Sequence, residues 1–298
     1  MAKIPVFINA DTGIDDATAL VAGLFSDNLQ VKGIIASKGN ISVKQVTKNT
    51  LSLLQFVNKK NTPVYEGVSE IIGKTNFSCV GIHGVGGIGG YNFPALKLEA
   101  QSWEDFCNTF LAIKGKVCFI CLSPLTNLAK LITTYPQSKD KIDRVIIECG
   151  LLNQTGFEPS FNVASDPKAA EIIFNSGLNI TICPSDMGHT AYLSHSDVRK
   201  IKALNKTGEM LEFIYRSYKD RVVKNGIATH DSCAVACVDE PSLFKYKKAK
   251  ISVKYVEPSG IGMIDFDFKN KTPNANVCVK VSKRGFRKYL IDHISKAP

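Results

Sequence analysis

The chain alternates between short, unbroken apolar runs and longer segments in which apolar residues recur at helical spacing. The runs are "PVFINA" (5–10), "VKGIIAS" (31–37), "KVCFICLS" (116–123), "RVIIECG" (144–150) and "NITICPS" (179–185). Apolar runs of this length without polar alternation predict strands buried on both faces. Between them, "DDATALVAGLFS", "SVKQVTKNTLSLLQFVNKK", "SPLTNLAKLITTY" and "DPKAAEIIFNSG" carry apolar residues three or four positions apart, the period of an amphipathic helix. Ser42, Ser123 and Asp166 suit helix starts, the last two with Pro at the first turn. This alternation predicts an α/β fold: an open, mostly parallel sheet with helices on both faces. Residues 186–230 read as mostly helical, and 250–282 as a few further strands around a turn at "NKTPNAN". With no internal repeat, low-complexity segment or Pro/Ser-rich linker, residues 1–298 read as one domain.

In open parallel sheets, sites form at the carboxyl ends of the strands. Asp11, Asn40, the "SPLTN" segment around Thr126, and Asp186 all follow predicted strands and so share one rim. The first of these positions lies in "FINADTGIDDAT" (7–18), which packs Asp11, Asp15 and Asp16 into six positions after a buried strand. Burying one such charge costs several kcal/mol or more unless it is paired or bound to a metal. An aspartic protease needs two Asp-Thr-Gly carboxylates, and this α/β chain has one. A nucleophilic-Asp phosphatase loop carries a second Asp two residues after the first, where this chain has Gly13. An oxygen-rich site for a hard cation such as Ca²⁺ fits the residue types. The plain alternative is that the aspartates cap the following helix, for which one would suffice.

Composition narrows the setting. The chain has 298 residues and 44% apolar content, enough for a large buried core, and no apolar run of the roughly 18 residues needed to span a bilayer. The N-terminus lacks the apolar core of a signal peptide, so a cytoplasmic location without membrane association is expected. The nine cysteines are scattered within apolar runs and read as buried free thiols; Cys118 and Cys121 would face opposite sides of a strand. The formal charge of +10 concentrates in "LFKYKKAKISVKY" and "KVSKRGFRKYL". It reads as a solvated lysine face and not a nucleic-acid footprint, since no aromatic-interleaved or helix-turn-helix pattern accompanies it.

Several blocks carry a family resemblance. "NADTGIDDA" resembles the opening D-x-D-x-G-x-D-D motif of the inosine–uridine-type nucleoside hydrolases. "IIASKGN" ending at Asn40, "IHGVGGIGG" with His83, "LSPLTNLA" with Thr126, "FNVASDPKAA" with Asn162 and "ATHDSCAVACVDEPSLF" with His230 and Asp231 follow in the family's order, spanning about residues 4–290. The resemblance implies hydrolysis of the N-glycosidic bond of ribonucleosides to free base and ribose. It implies Ca²⁺ held by Asp11, Asp16, the backbone carbonyl of Thr126, and Asp231, with Asp11 also the general base. Asp15, Asn40, Asn162 and Asp231 would grip the sugar, His230 and His83 would serve the leaving base, and a homodimer or homotetramer is expected. Imidazoles suit proton transfer near neutral pH, and two of the five histidines fall in these blocks. Tyr215 and Tyr218, in "FIYRSYKDR", are candidates to stack on the nucleobase.

The chain also departs from the pattern. Asn9 replaces the Asp that opens the first motif, and Thr12 stands where Pro is usual. "PSFN" replaces A-E-F-N, so Ser160 occupies the Glu position, and Gln154 lies where Asn is common. The resemblance implies that those two side chains hold the 3′- and 5′-hydroxyl end of the sugar, and Glu158, two residues from Ser160, would substitute only with the loop rebuilt. The departure leaves two readings beside an ordinary ribonucleoside hydrolase: a hydrolase for a sugar-modified nucleoside, and a weak or inactive nucleoside-binding relative.

Overall fold

The computed structural model describes residues 2–73, 75, 81–152, 159–218, 223 and 226–298. The strands are β1 (Ile4–Ala10), β2 (Leu29–Ala36), β3 (Val64–Glu66), β4 (Val117–Cys121), β5 (Ile142–Glu148), β6 (Ile180–Cys183), β7 (Leu193–Ser194), β8 (Gly226–Ile227), β9 (Phe244–Val256), β10 (Ile261–Asp267) and β11 (Ala275–Val281). The α-helices are α1 (Ile14–Leu24), α2 (Val43–Phe56), α3 (Trp103–Ala112), α4 (Thr126–Thr134), α5 (Phe161–Ser165), α6 (Pro167–Phe174), α7 (Asp186–Ala191), α8 (His195–Lys202), α9 (Lys206–Tyr215), α10 (His230–Asp239) and α11 (Lys283–Ile294). Nine strands form one sheet in the order β10-β9-β11-β6-β5-β4-β1-β2-β3. From β11 to β3 the neighbours run parallel; β9 is antiparallel to both β11 and β10.

All five sequence-predicted strands are present. Their residues alternate between two apolar cores, one on each face of the sheet. Val6, Ile8 and Ala10 of β1 face the layer of α1, α10 and α11, while Phe7 faces the other side, where its ring meets Phe106 at 5.5 Å and Phe110 at 5.7 Å. Cys118 and Cys121 divide in the same way, one to each core. The segment predicted from residue 250 onward is a β9–β10–β11 extension of the main sheet.

Ser42 and Asp166 cap α2 and α6 through Gln45 N and Ala169 N. Ser123 starts no helix: its hydroxyl accepts a hydrogen bond from Asn9 Nδ2 at 2.7 Å, and α4 begins three residues later at Thr126. The eight described cysteines are buried and free; Cys79 lies outside the described residues. Cys183, Cys237 and Cys278 bring their thiols together in the apolar core, with two sulfurs 3.3 Å apart. Burial pushes all three thiols well up, which keeps them protonated and unreactive. The lysines at 245, 247, 248 and 254 on β9 are exposed. Among the described residues, no helix is long and apolar enough to cross a membrane.

Candidate active site

β1 lies between β2 and β4, so the chain leaves the two sides of β1 in opposite directions. A crevice opens at such a switch point, at the carboxyl ends of the strands. It is a cavity of about 660 Å³ lined by residues that include Asp11, Asp15, Asp16, Asn40, His83, Ser160, Asn162, Tyr218, His230 and Asp231. Ten of the residues singled out from the sequence therefore meet in one place.

Thr126 is not among them. It does not line the cavity, and its Oγ1 donates to Asp166 Oδ2 at 2.7 Å. As the first residue of α4, its carbonyl is directed along the helix. Leu122, at the end of β4, does line the cavity, and its carbonyl oxygen accepts from Asn162 Nδ2 at 3.1 Å. Of the two, Leu122 is the residue that borders the cavity. Tyr215 is a second correction: it is buried in the core, its hydroxyl 2.7 Å from Thr18 Oγ1, away from the cavity. Tyr218 does face the cavity, with its hydroxyl 3.3 Å from Asp15 Oδ2 and its ring 5.5 Å from that of His83.

Asp15 and Asp16 stand in the first turn of α1, and Asp231 in the first turn of α10, which packs against α1. Each offers an oxygen to a group whose members lie within 4.8 Å of one another. Gly13 N–H donates to Asp16 Oδ2 at 2.9 Å, while Oδ1 is buried without a partner among the described residues. Burial, then the neighbouring charges of Asp11 and Asp15, raise the Asp16 carboxyl well above its usual range. Burial and the charges of Asp15 and Asp16 do the same to Asp231. Asp11 adjoins this group; Asn40 N–H donates to its Oδ2 at 2.7 Å, and burial pushes its carboxyl up to about 7. A Cβ at Gly39 would stand 2.0 Å from Asp11 Oδ2, so only glycine permits this approach.

An orphaned carboxylate oxygen among mutually repelling acids is a donor set short of positive charge. Oxygens spaced within 4.8 Å can share one ion at the 2.3–2.6 Å typical of Ca²⁺, and an all-oxygen set favours a hard cation over zinc or copper. The residues present fit such an ion. Helix capping alone does not account for them, because the one Asp16–Gly13 bond already fills that role.

His83 Nδ1 accepts the Ile14 N–H at 3.1 Å and lies 3.7 Å from Asp15 Oδ1. Burial holds the imidazole below its usual pKa, so the ring is neutral, with its proton on Nε2. A Cβ at Gly13 would come within 2.6 Å of that Nδ1. His230 has the opposite arrangement: Nδ1 lies 3.0 Å from the Ser185 carbonyl, which can only accept, so Nδ1 carries hydrogen. Its ring also meets His189 edge-on at 4.6 Å.

The remaining departures find local explanations. Asn9 ties β1 to the segment before α4: Nδ2 donates to Ser123 Oγ and Pro124 O, and Oδ1 accepts from Asn127 Nδ2 at 2.9 Å. Thr12 pairs with Thr50 of α2 at 2.7 Å. Asp186 accepts the Leu152 N–H at 2.7 Å and does not line the cavity. Ser160 lines it, but its Oγ accepts the Gly150 N–H at 2.9 Å. Gln154 and Glu158 lie outside the described residues. The sequence reading missed Glu148, which ends β5 inside the cavity. An acid closing the apolar run "RVIIE" was the available signal, the same one that marks Asp11.

The scaffold is thus an open, mostly parallel α/β sheet with a cluster of buried acids at its switch point. The sequence profile described as inosine-uridine preferring nucleoside hydrolase matches residues 6–288. The chain is 30% identical over 303 residues to the non-specific ribonucleoside hydrolase RihC of Escherichia fergusonii, covering 99% of each chain. It is 31% identical to the RihC of Klebsiella pneumoniae over 99% of this chain and 100% of the relative. The plant nucleoside hydrolase PpNRh1 superposes with a TM-score of 0.87 at 25% identity, covering 98% of this chain and 99% of that one. A purine-preferring ribonucleoside hydrolase from Gardnerella vaginalis gives the same TM-score and identity, covering 98% of each chain. The chain belongs to the inosine-uridine preferring nucleoside hydrolase family and is an enzyme acting on N-glycosyl bonds.

Proposed function

We propose that this protein hydrolyses ribonucleosides to ribose and free base in a Ca²⁺-dependent reaction. The observation that carries this reading is the convergence of Asp15, Asp16 and Asp231 with one buried carboxylate oxygen left without a partner. Asp16, Asp231, Asp11 and the Leu122 carbonyl are the residues to hold the ion, with Asp15 beside them. When bound, the ion supplies an acidified water and a rigid grip on the sugar diol.

This chain's own residues supply the rest. Asp11 takes a proton from the attacking water, a contribution of typically 10²–10⁴-fold. The water oxygen bonds to C1′ as the bond from C1′ to the base nitrogen breaks, and that electron pair leaves with the base. Positive charge spreads over the sugar ring in this transition state, and the carboxylates of Asp11, Asp15 and Asp231 stabilise it. Asn40 and Asn162 position the sugar. The Asn162 amide is itself fixed by the carbonyls of Leu122 and Glu148, at 3.1 and 2.8 Å. His83, with its proton on Nε2, donates to the leaving base. His230 flanks the base from the opposite wall, and Tyr218 offers it an aromatic face.

Buried free thiols accord with a reducing, cytoplasmic setting. A homodimer or homotetramer is the expected assembly, to be read by sedimentation. The deciding experiment is base release from inosine, uridine, cytidine and adenosine, with added Ca²⁺ and after chelation. Calcium-dependent release is expected. Tight calcium binding without release from any nucleoside would leave a binding-only relative.

A further inference from the structure

Glu148 is an acid at the end of a buried strand, and the catalytic scheme above does not use it. It is 7% exposed and lines the cavity. Ser185 Oγ donates to its Oε1 at 2.6 Å, and Asn162 Nδ2 donates to its Oε2 at 3.0 Å. Its backbone is held as firmly, since Asn162 Nδ2 also donates to the Glu148 carbonyl at 2.8 Å. Gly150, two residues on, is clamped as well: its N–H donates to Ser160 Oγ at 2.9 Å, and its carbonyl accepts the Ser185 N–H at 2.9 Å. A carboxylate oxygen has about two acceptor positions, and each oxygen has one protein donor in these bonds. The side chain is thus oriented into the cavity with acceptor capacity left on both oxygens.

Its place in the sheet decides what it can accept from. Asp11 follows β1 and Glu148 ends β5, with β4 between them. Two strand spacings put Asp11 and Glu148 about 10 Å apart along the rim, and the charge of Glu148 acts on both Asp11 and Asp231. A ribonucleoside held by its 2′,3′-diol at the acidic group turns its 5′-carbon to the other face of the sugar ring. The 5′-hydroxyl is then the remaining sugar donor, and it is neutral, as a carboxylate already bonded by two protein groups requires. Ser160, at the position where the family pattern has Glu, offers a hydroxyl and no carboxylate, and its Oγ accepts the Gly150 N–H.

We propose that Glu148 recognises the 5′-hydroxyl of the nucleoside, so that the acceptor for this end of the sugar comes from the end of β5. This assignment makes the enzyme selective for substrates with a free 5′-hydroxyl, and it rests on the ribonucleoside hydrolase reading above. Substrates lacking that hydroxyl, or carrying a 5′-phosphate that would face a carboxylate, are disfavoured.

The test compares kcat/KM for inosine and 5′-deoxyinosine, and for uridine and 5′-deoxyuridine, in the wild type, Glu148→Gln and Glu148→Ala, all with saturating Ca²⁺. The wild type is expected to favour the 5′-hydroxylated substrate by roughly 10–100-fold, the value of one charged hydrogen bond. Glu148→Ala should bring that ratio close to one. Glu148→Gln, which keeps an acceptor and the volume, should retain an intermediate ratio and guards against a folding defect in the alanine variant. Equal losses on both substrates, or a changed base preference at an unchanged ratio, would overturn the assignment while leaving the hydrolase reading intact. Wild-type protein that releases no base from any of the four substrates would instead overturn the hydrolase reading, and this assignment with it.

Discussion

Asp15, Asp16 and Asp231 crowd together in the cavity, whereas Glu148, at the end of β5 in the same cavity, has both oxygens bonded to protein donors. Burial raises the carboxyls of Asp16, Asp231 and Glu148 alike. What differs is how each region is compensated. The crowded group has an oxygen with no partner and charges that repel one another, so it lacks positive charge. Glu148 instead has a protein donor on each oxygen. On the proposed reading, buried acids in one cavity serve two kinds of ligand, a cation and a hydroxyl.

The largest expected effect comes from the crowded group. Asp11→Ala should lower turnover by roughly 10²–10⁴-fold, the usual worth of a general base, with circular dichroism unchanged. Near-wild-type rates would remove Asp11 from that role. Asp16→Asn should weaken Ca²⁺ binding, read by titration calorimetry, by roughly tenfold or more, the size of one lost charged contact. Glu148→Gln should shift it far less. Equal losses in the two variants would erase the distinction between the two regions.

The third prediction concerns pH. Asp11 titrates near 7 in the folded metal-free protein but in the ordinary Asp range when unfolded. The folded state thus holds the proton more tightly, and its stabilising effect is complete at low pH and lost as pH rises through about 7. The raised carboxyls of Asp16 and Asp231 act in the same direction. The thermal midpoint of chelated protein should fall between pH 5 and 8 on this account, and added Ca²⁺ should abolish the fall. A chelated midpoint that rises across this window would contradict the repulsion seen in the cluster. The smallest effect is that of Thr126→Val. It should cost about 1–2 kcal/mol of stability through the lost bond to Asp166 and leave Ca²⁺ affinity unaltered. A large loss of affinity would show that the Thr126–Asp166 bond shapes the ion site.

The central strands were legible because strands covered on both faces must be continuously apolar. α10 was not marked as a helix although its two site residues were identified. Every residue from Asp231 to Asp239 is buried, so it has no polar face to set a period. The exchange of Thr126 for Leu122 has a different cause. Every residue type offers a carbonyl, so a backbone ligand leaves no mark on the sequence, and attention goes to the more chemical side chain nearby. Glu148 was legible in principle: like Asp11, it is an acid where an apolar strand ends. The position of the β9–β10–β11 extension beside β6 depends on contacts between distant segments, which local patterns do not record.

Gly13 and Gly39 carry no chemistry, yet one lies against His83 and the other against Asp11, so closely that a single methyl group would displace the imidazole or the carboxylate. In a saturation-mutagenesis library scored for base release, these two positions should be as intolerant as the aspartates. At both, alanine, the mildest replacement elsewhere, would be a loss-of-function allele. The boundary of the active site is set here by hydrogen atoms as much as by functional groups, and the mutational footprint of the enzyme is correspondingly wider than its set of catalytic residues.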